Sequence, residues 1–368
     1  MVDLSRRRFA IAAPTLLGGA SLLSACTVGT ELDYETLATQ TWRYGPLIAR
    51  TGTALGTELV RYATLAPSSH NTQCWKFRVE EQAITILADL SRRCPAVDPD
   101  DHHVFVSLGC ATENLVQAAL ANGFNADATF DAEQNVIRVA LAPTPAQASP
   151  LFQAIAARQS TRGDYDGQAL SSNELGMLER AGTGNGVRVQ FLTERPAIET
   201  VLDHIVQANT AQMADKAFVT ELKQWIRFNG AEAVRTPDGL FGICTGNPEV
   251  PTWLGQMAFG MLYKPKGEND KIARQVRSAA GIAVFTGQAA DKAHWVEVGR
   301  CYERFALQAT ALGIRNAFLN QPVEVQALRP AFATALGLGS QRPDLVVRFG
   351  RGPRMPSSLR RPVQAVLV

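Results

Sequence analysis

Apolar and polar positions repeat along this chain with two distinct periods, and the switch between them marks out its elements. Residues 53–66 carry apolar side chains at helical spacing and predict an amphipathic helix. Residues 76–80 and 83–90 alternate and predict two short strands. A helix is expected over 106–122, with Gly123 as its C-cap, followed by a hairpin around 131–135. Further on, the pattern predicts helices at 151–158 and 171–181, a strand at 187–192, an apolar strand at 281–287 and a helix at 294–312. A strand over 316–324 runs into a loop, then come a helix at 323–331 and a last strand at 344–349. Between them the segment 195–280 reads as mostly helical, with runs at 197–213 and 215–234, a Gly- and Pro-rich stretch at 236–251 and a third run at 253–266.

One internal echo organises this list. A shift of 190 positions, taking Gly109 to Gly299, also takes Val106, Glu113, Ala119, Ala121 and Gly123 to Val296, Glu303, Ala309, Ala311 and Gly313. Both segments read as buried helices with small residues on one face, where another helix can approach closely. The Ala- and Pro-rich stretch Ala142–Pro150 is the expected boundary between two halves, 53–147 and 148–368, the second carrying an insert over about 195–280. Trp225, Phe228, Phe241 and Trp253 fall in that insert; helical aromatic spacing favours packing there over a lid across a ligand.

The N-terminal residues form an address rather than a fold. Arg6, Arg7 and Arg8 precede an apolar run, Ala10 to Leu23, too short to span a bilayer as a mature helix. Residues 1–25 therefore read as a twin-arginine export signal. The run closes on Leu23-Ser24-Ala25-Cys26, which resembles a bacterial lipobox and makes Cys26 the expected lipidation site. Residues 26–52 are expected to be a tether and a lead-in helix, with 27–35 polar and loose. These features imply a protein anchored by lipid at the membrane, on the periplasmic or cell-surface side.

An apolar fraction of 46% supports a substantial core, and a net charge of +2 with no basic stripe argues against nucleic acid as a partner. The remaining cysteines are scattered and form no disulfide framework. Asp98, Asp100, Asp101, His102 and His103 are expected to be a polar loop rather than metal ligands, because adjacent histidines on an extended chain point to opposite sides. Gly182, Gly184 and Gly186 follow a helix rather than a strand and form no dinucleotide fingerprint, and Ser69-His70 lacks a nucleophile elbow.

The stretch with the densest chemistry is Pro67-Ser68-Ser69-His70-Asn71-Thr72-Gln73-Cys74-Trp75. Two hydroxyls, two carboxamides and an aromatic ring suit a planar heteroaromatic ligand. Arg158-Gln159-Ser160-Thr161-Arg162 sets two guanidinium forks around a hydroxyl, a pattern that suits a phosphate or a solvated helix end equally well.

Together these motifs resemble the flavin-dependent nitroreductase family, with Cys74 standing where the family loop usually has proline. The resemblance covers most of residues 50–368 and is closest to the Acg-type branch, in which two nitroreductase-like halves are fused. It implies an α+β fold, an intramolecular pseudo-dimer around a helical core, and FMN as cofactor. It assigns Pro67, Ser68, Ser69, Asn71 and Gln73 to the flavin ring, and Arg158, Ser160 and Arg162 to the phosphate. It further places Pro322, Val323 and Glu324 beside flavin N5, and Arg360 and Arg361 at the phosphate as a basic pair. No protein side chain is then required as nucleophile or acid. The implied activity is two-step hydride transfer through the flavin from a small-molecule donor to a nitroaromatic, quinone or similar acceptor, in a monomer. The alternative is an exported protein that holds FMN under a lid with little turnover, since NAD(P)H is a cytoplasmic donor.

Overall fold

The computed structural model describes residues 34–45, 52–262 and 264–368; the expected export signal, Cys26 and residues 27–33 lie outside the described residues. Residues 34–41 form a helix whose Tyr34 and Ala38 are buried against Phe241 and Leu359. Tyr34 meets Phe241 edge-on, with ring centroids 4.7 Å apart. The chain is thus docked on the body from residue 34, where the sequence reading had the end of a loose tether.

The architecture is α+β, with two four-stranded antiparallel sheets. The first contains β1 (Trp75–Val79), β2 (Ala83–Ala88), β3 (Phe124–Asp131) and β4 (Val136–Pro143), in the order β1-β2-β4-β3. The second contains β5 (Val187–Leu192), β8 (Gly281–Gly287), β9 (Arg315–Phe318) and β10 (Leu345–Gly350), in the order β5-β8-β10-β9. A separate parallel pair, β6 (Ile226–Arg227) and β7 (Leu240–Phe241), lies between β5 and β8 in the chain.

Both sheets have one topology. In each, the strands stand first, second, fourth, third in their own chain order, and a 20-residue helix connects the second strand to the third. That helix is α2 (His102–Ala121) in the first half and α8 (Lys292–Ala311) in the second; the amphipathic α1 (Gly52–Ala63) precedes β1 and α3 (Ser172–Gly182) precedes β5. What differs is the link between the first two strands. A short turn at residues 80–82 joins β1 to β2, whereas the helical insert separates β5 from β8.

The two long helices cross at the centre of the molecule. A Cβ on Gly109 would lie 2.0 Å from the Val296 carbonyl oxygen, and one on Gly299 would lie 2.0 Å from the Val106 carbonyl oxygen. The 190-residue shift relates these two contacts, so the crossing is reciprocal, as at an isologous dimer interface. Around it, Leu108, Cys110, Leu115, Cys301, Phe305 and Ala309 join one core spanning both halves.

The ends are also cross-connected. Phe77 N–H donates to the Val366 carbonyl at 2.8 Å and Val368 N–H to the Phe77 carbonyl at 3.0 Å, so the C-terminal tail pairs in parallel with β1. Residues ahead of β5 reach β9 in the same way, through Thr161 N–H and the Asn316 carbonyl at 2.9 Å.

Three sequence expectations need correction. Helix α2 begins at His102, inside the stretch read as a polar loop, because Asp98 Oδ2 accepts from the backbone N–H groups of His103 and Val104 at 2.9 and 3.2 Å. That carboxylate supplies the cap from upstream. The expected helix 215–234 breaks after α5 (Lys216–Trp225), which follows the long α4 (Arg195–Ala214); β6 intervenes and Asn229 caps a new short helix, Gly230–Arg235. Beyond α6 (Thr252–Leu262), residues Pro265–Arg277 form α7, which the periodicity did not predict.

Candidate functional site

The halves and the insert enclose a cavity of about 280 Å³. A smaller one of about 80 Å³ adjoins it, and both are lined by Pro67, Ser68, Arg162, Leu240, Thr245 and Phe318. The large cavity takes Ser69 and His70 from the loop after α1, and Glu324 from the second half; the small one takes Asn71, Arg158, Ser160 and Arg360.

The 67–73 loop is held in an unusual shape. His70, Asn71 and Gln73 all have positive φ, at 47°, 53° and 55°, a region that costs a non-glycine residue roughly 1–3 kcal/mol when its neighbours impose it. The neighbours are identifiable. Ser68 Oγ accepts from Gln73 N–H at 2.9 Å, Asn71 Nδ2 donates to the Gly239 carbonyl at 3.0 Å, and Gln73 Nε2 donates to the Pro237 carbonyl at 2.9 Å. Gln73 Oε1 accepts from Arg361 N–H at 2.8 Å. Insert and tail therefore fix the loop whose Ser68, Ser69 and His70 face the large cavity.

The arginines divide their labour. Arg158 is buried, with Nε 3.2 Å from Glu303 Oε1 and Nη2 donating to the Leu65 carbonyl at 3.0 Å. The Arg158–Glu303 approach is an ion pair by distance but is not aligned as a hydrogen bond. Burial pushes the Glu303 carboxyl up to about 7, against the attraction of Arg158. Arg162 differs: it lines both cavities, and among the described residues its guanidinium has neither an ion pair nor a hydrogen bond. Burial lowers its pKa from the ordinary value. Glu324, on the wall of the same cavity, is the nearby carboxylate whose charge partly offsets that effect; with no hydrogen bond or ion pair holding it among the described residues, the guanidinium is placed to gain from a bound anion.

The remaining residues assigned from the resemblance are placed differently from one another. Ser160 lines the small cavity. Arg360 donates to the carbonyls of Thr64, Leu65 and Ala66 at 2.8 to 3.2 Å, closing the C-terminal end of α1; burial pushes its pKa down to about 9. Arg361 lines neither cavity and donates to the Ala365 carbonyl. Gln73 also lines neither. Pro322 and Val323 lie buried in a short helix, Gln321–Glu324, with Val323 in a cluster with α4 residues such as Leu202 and Ile205. Of that segment, Gln321 and Glu324 reach the large cavity.

Sequence reasoning missed the insert's contribution. Met213, Phe218 and Leu222 from α4 and α5 supply an apolar wall, while Lys271 and Gln275 from α7 supply a polar one. Lys271 Nζ donates to the Thr245 carbonyl and Asn247 Oδ1 at 3.2 and 3.0 Å, leaving a third donor. Of the four aromatics weighed as a lid, Phe241 lines the small cavity while packing against Tyr34; the other three line neither cavity, Phe228 being a core residue, Trp225 packing beside Phe218 and Cys94, and Trp253 being exposed. A helical spacing of Glu268, Lys271, Ile272 and Gln275 was the available signal for α7 as a lining helix.

His70 allows a direct check on this environment. Burial first, then the charge of Arg162, pushes its imidazole down to about 4. The ring is expected to be neutral at pH 6. Its folded pKa is depressed, so the stability it contributes is present above the unfolded value and is lost as pH falls from about 6.5 towards 4. Chemical denaturation at pH 7 and pH 5 should show that loss in the wild type and less of it in His70→Asn, whose side chain tolerates left-handed backbone. A His70 titration midpoint near 6.5 by NMR would contradict this picture.

No protein-family model matches the chain. Over 303 residues, spanning 79% of the chain and 83% of the relative, it is 23% identical to a Mycobacterium tuberculosis protein that carries the name of an NAD(P)H nitroreductase. Over 320 residues, 83% of the chain and 93% of the relative, it is 21% identical to the Acg protein of the same organism, also named as an NAD(P)H nitroreductase. Among solved structures, a nitroreductase with bound FMN from Desulfitobacterium hafniense aligns with 58% of this chain and 96% of its own at 15% identity and a TM-score of 0.38. The FMN-dependent nitroreductase NfnB from Mycobacterium smegmatis, in complex with NADPH, aligns with 55% and 87% at 11% identity and a TM-score of 0.37. In sequence, then, the chain is similar over most of its length to mycobacterial proteins named as NAD(P)H nitroreductases.

Proposed function

We propose that the protein binds FMN across the two joined cavities and acts as a nitroreductase-like oxidoreductase. The observation that carries this reading is Arg162, whose guanidinium lines both cavities beside the polar 67–71 loop and, among the described residues, makes no hydrogen bond or ion pair. Those residues fit a flavin: a cation with donors to spare for the phosphate, and hydroxyl and carboxamide groups for the ring. FMN, when bound, supplies reversible two-electron exchange with a hydride donor and an acceptor. The chain's own groups bind and orient. Arg162 and Ser160 hold the phosphate, while Ser68, Ser69 and Asn71 hold the ring and Arg158 braces the helix pair. The α4–α5 wall excludes water. A nitroaromatic or quinone would take the electrons.

A second reading, storage of FMN with little turnover, draws support from the apolar wall of Met213, Phe218 and Leu222 over the large cavity. Anaerobic visible absorbance before and after NADPH addition separates the two. Bleaching of a flavin band is the expected result for a reductase. An unchanged band would favour storage, and a protein that stays colourless with added FMN would reject both.

Export by the twin-arginine route, lipidation at Cys26 and a periplasmic or cell-surface position remain part of the proposal, as does a monomeric state in which the two halves replace two subunits. Metabolic labelling with a fatty acid, lost in Cys26→Ser, is the expected signature of the anchor.

A further inference from the structure

We propose that Asp98, His102 and His103 form a binding site for one divalent transition-metal ion beside the large cavity. The proposal does not depend on the flavin reading. One ligand atom from each residue lies within 4.8 Å of the others, and the three residues are 2%, 0% and 5% exposed. Adjacent histidines were not expected to converge, since an extended chain would point them apart. Instead both lie in the first turn of α2, where successive side chains are separated by about 100°, and their rings tilt together with centroids 4.7 Å apart.

The hydrogen bonds around each residue leave a lone pair available. His102 Nε2 is 3.1 Å from Asp344 Oδ1. The carboxylate accepts, so that nitrogen carries the proton and Nδ1 keeps its lone pair. His102 Nδ1 is buried with no hydrogen-bond partner among the described residues, an arrangement that costs stability unless something fills it. A histidine whose second nitrogen donates to a carboxylate is how metal-ligating imidazoles are usually held. His103 Nε2 lies 3.5 Å from Glu324 Oε1, close enough for an ion pair but not a hydrogen bond, so among the described residues its ring nitrogens are not committed to another group. Asp98 uses Oδ2 to cap the helix, and among the described residues its other oxygen has no hydrogen bond.

Two imidazoles and one carboxylate suit Zn(II), Fe(II) or Co(II) better than Mg(II) or Ca(II). At metal–ligand distances of about 2.0–2.2 Å, donor atoms sit roughly 3.5 Å apart, so the side chains must close in slightly on binding. Two cations stand nearby, Arg329 and Arg342, which share Asp100 at 3.4 and 2.7 Å, and Arg342 Nε also lies 3.9 Å from Asp344 Oδ1. His103 is part of the cavity wall, which gives an ion a route in and leaves an open coordination position there. A ligand oxygen such as that of a carbonyl or nitro group would occupy it, polarised by the ion.

The test uses the untagged full-length protein, stripped with a chelator and titrated with Co(II), followed by visible d–d absorption and by Zn(II) competition. One Co(II) per chain with a tetrahedral or five-coordinate band is expected, displaced by Zn(II). Asp98→Asn keeps an acceptor for the helix cap and should abolish the band, as should His103→Gln. Asp344→Asn replaces no ligand but offers His102 a donor in place of an acceptor, which moves the ring proton to Nδ1. It should weaken Co(II) binding by roughly 10- to 100-fold, with thermal midpoint and circular dichroism confirming a folded chain. If Asp98→Asn fails to fold, Asp344→Asn decides alone. The absence of a stoichiometric band in the wild type, or a band unchanged in the folded variants, would overturn the site.

Discussion

Arg162→Ala is expected to release FMN, while Arg158→Ala is expected to damage the fold first. The two arginines stand four residues apart in one motif, yet their surroundings differ. Among the described residues Arg162 makes no ion pair or side-chain hydrogen bond, Glu324 acting on it only through its charge, and it lines both cavities. A charge-assisted hydrogen bond contributes about 1.5–3 kcal/mol, so its loss should weaken FMN binding by roughly 10- to 150-fold, with little change in thermal midpoint without flavin. Arg158 sits 3.2 Å from Glu303 in the core beside α8. Removing one partner of a buried pair costs roughly 3–5 kcal/mol, moderated here because burial already raises the Glu303 pKa to about 7 and protonation can relieve the charge. Fluorescence titration with FMN and differential scanning fluorimetry of both variants check the pair. Arg162→Ala at wild-type affinity would remove the basis of the flavin proposal.

The second large effect is expected at the helix crossing. Gly109→Ala would put a methyl group 2.0 Å from the Val296 carbonyl oxygen, and Gly299→Ala would do the same to Val106. Backbone atoms cannot rotate away, so the helices must separate along their contact. Alanine favours a helix over glycine by up to about 1 kcal/mol, but overpacking of a core commonly costs 1–3 kcal/mol and occasionally more. The clash should win, with each variant destabilised by roughly 2 kcal/mol or more in urea unfolding. Because the first methyl group already opens the crossing, the double variant should lose less than the sum. Additive losses, or none, would mean that the helices do not meet at these carbonyls in solution.

The sequence made the crossing legible and the division of the arginines illegible. Paired small residues at a fixed shift imply two helices with close-approach faces, and close approach between copies of one motif implies symmetry. Nothing local distinguishes Arg158 from Arg162, because the discriminating group, Glu303, is 145 residues beyond Arg158 on another helix. The polar run from Asp98 to His103 concealed a helix start for a related reason: its cap comes from Asp98 rather than from the adjacent Asp101, whose φ is 58°. Helix α7 was hidden by Gly267, Asn269 and Asp270, weak helix formers in its first half. The strand expected over 316–324 ends at Phe318, and a short helix, Gln321–Glu324, follows that buries Pro322 and Val323 and leaves Glu324 lining the cavity.

The pairing of the tail with β1 bears on how the chain reaches this state. Phe77 bonds to residues 366 and 368, separations of 289 and 291 residues, and contacts of that span form slowly because loop closure must come first. Until residue 366 has left the ribosome, one edge of the first sheet stays open, and open edges recruit other chains. A nascent or truncated molecule would therefore be the aggregation-prone species, and a bulky fusion directly after Val368 would prolong that vulnerable interval more than one placed anywhere in the helical insert.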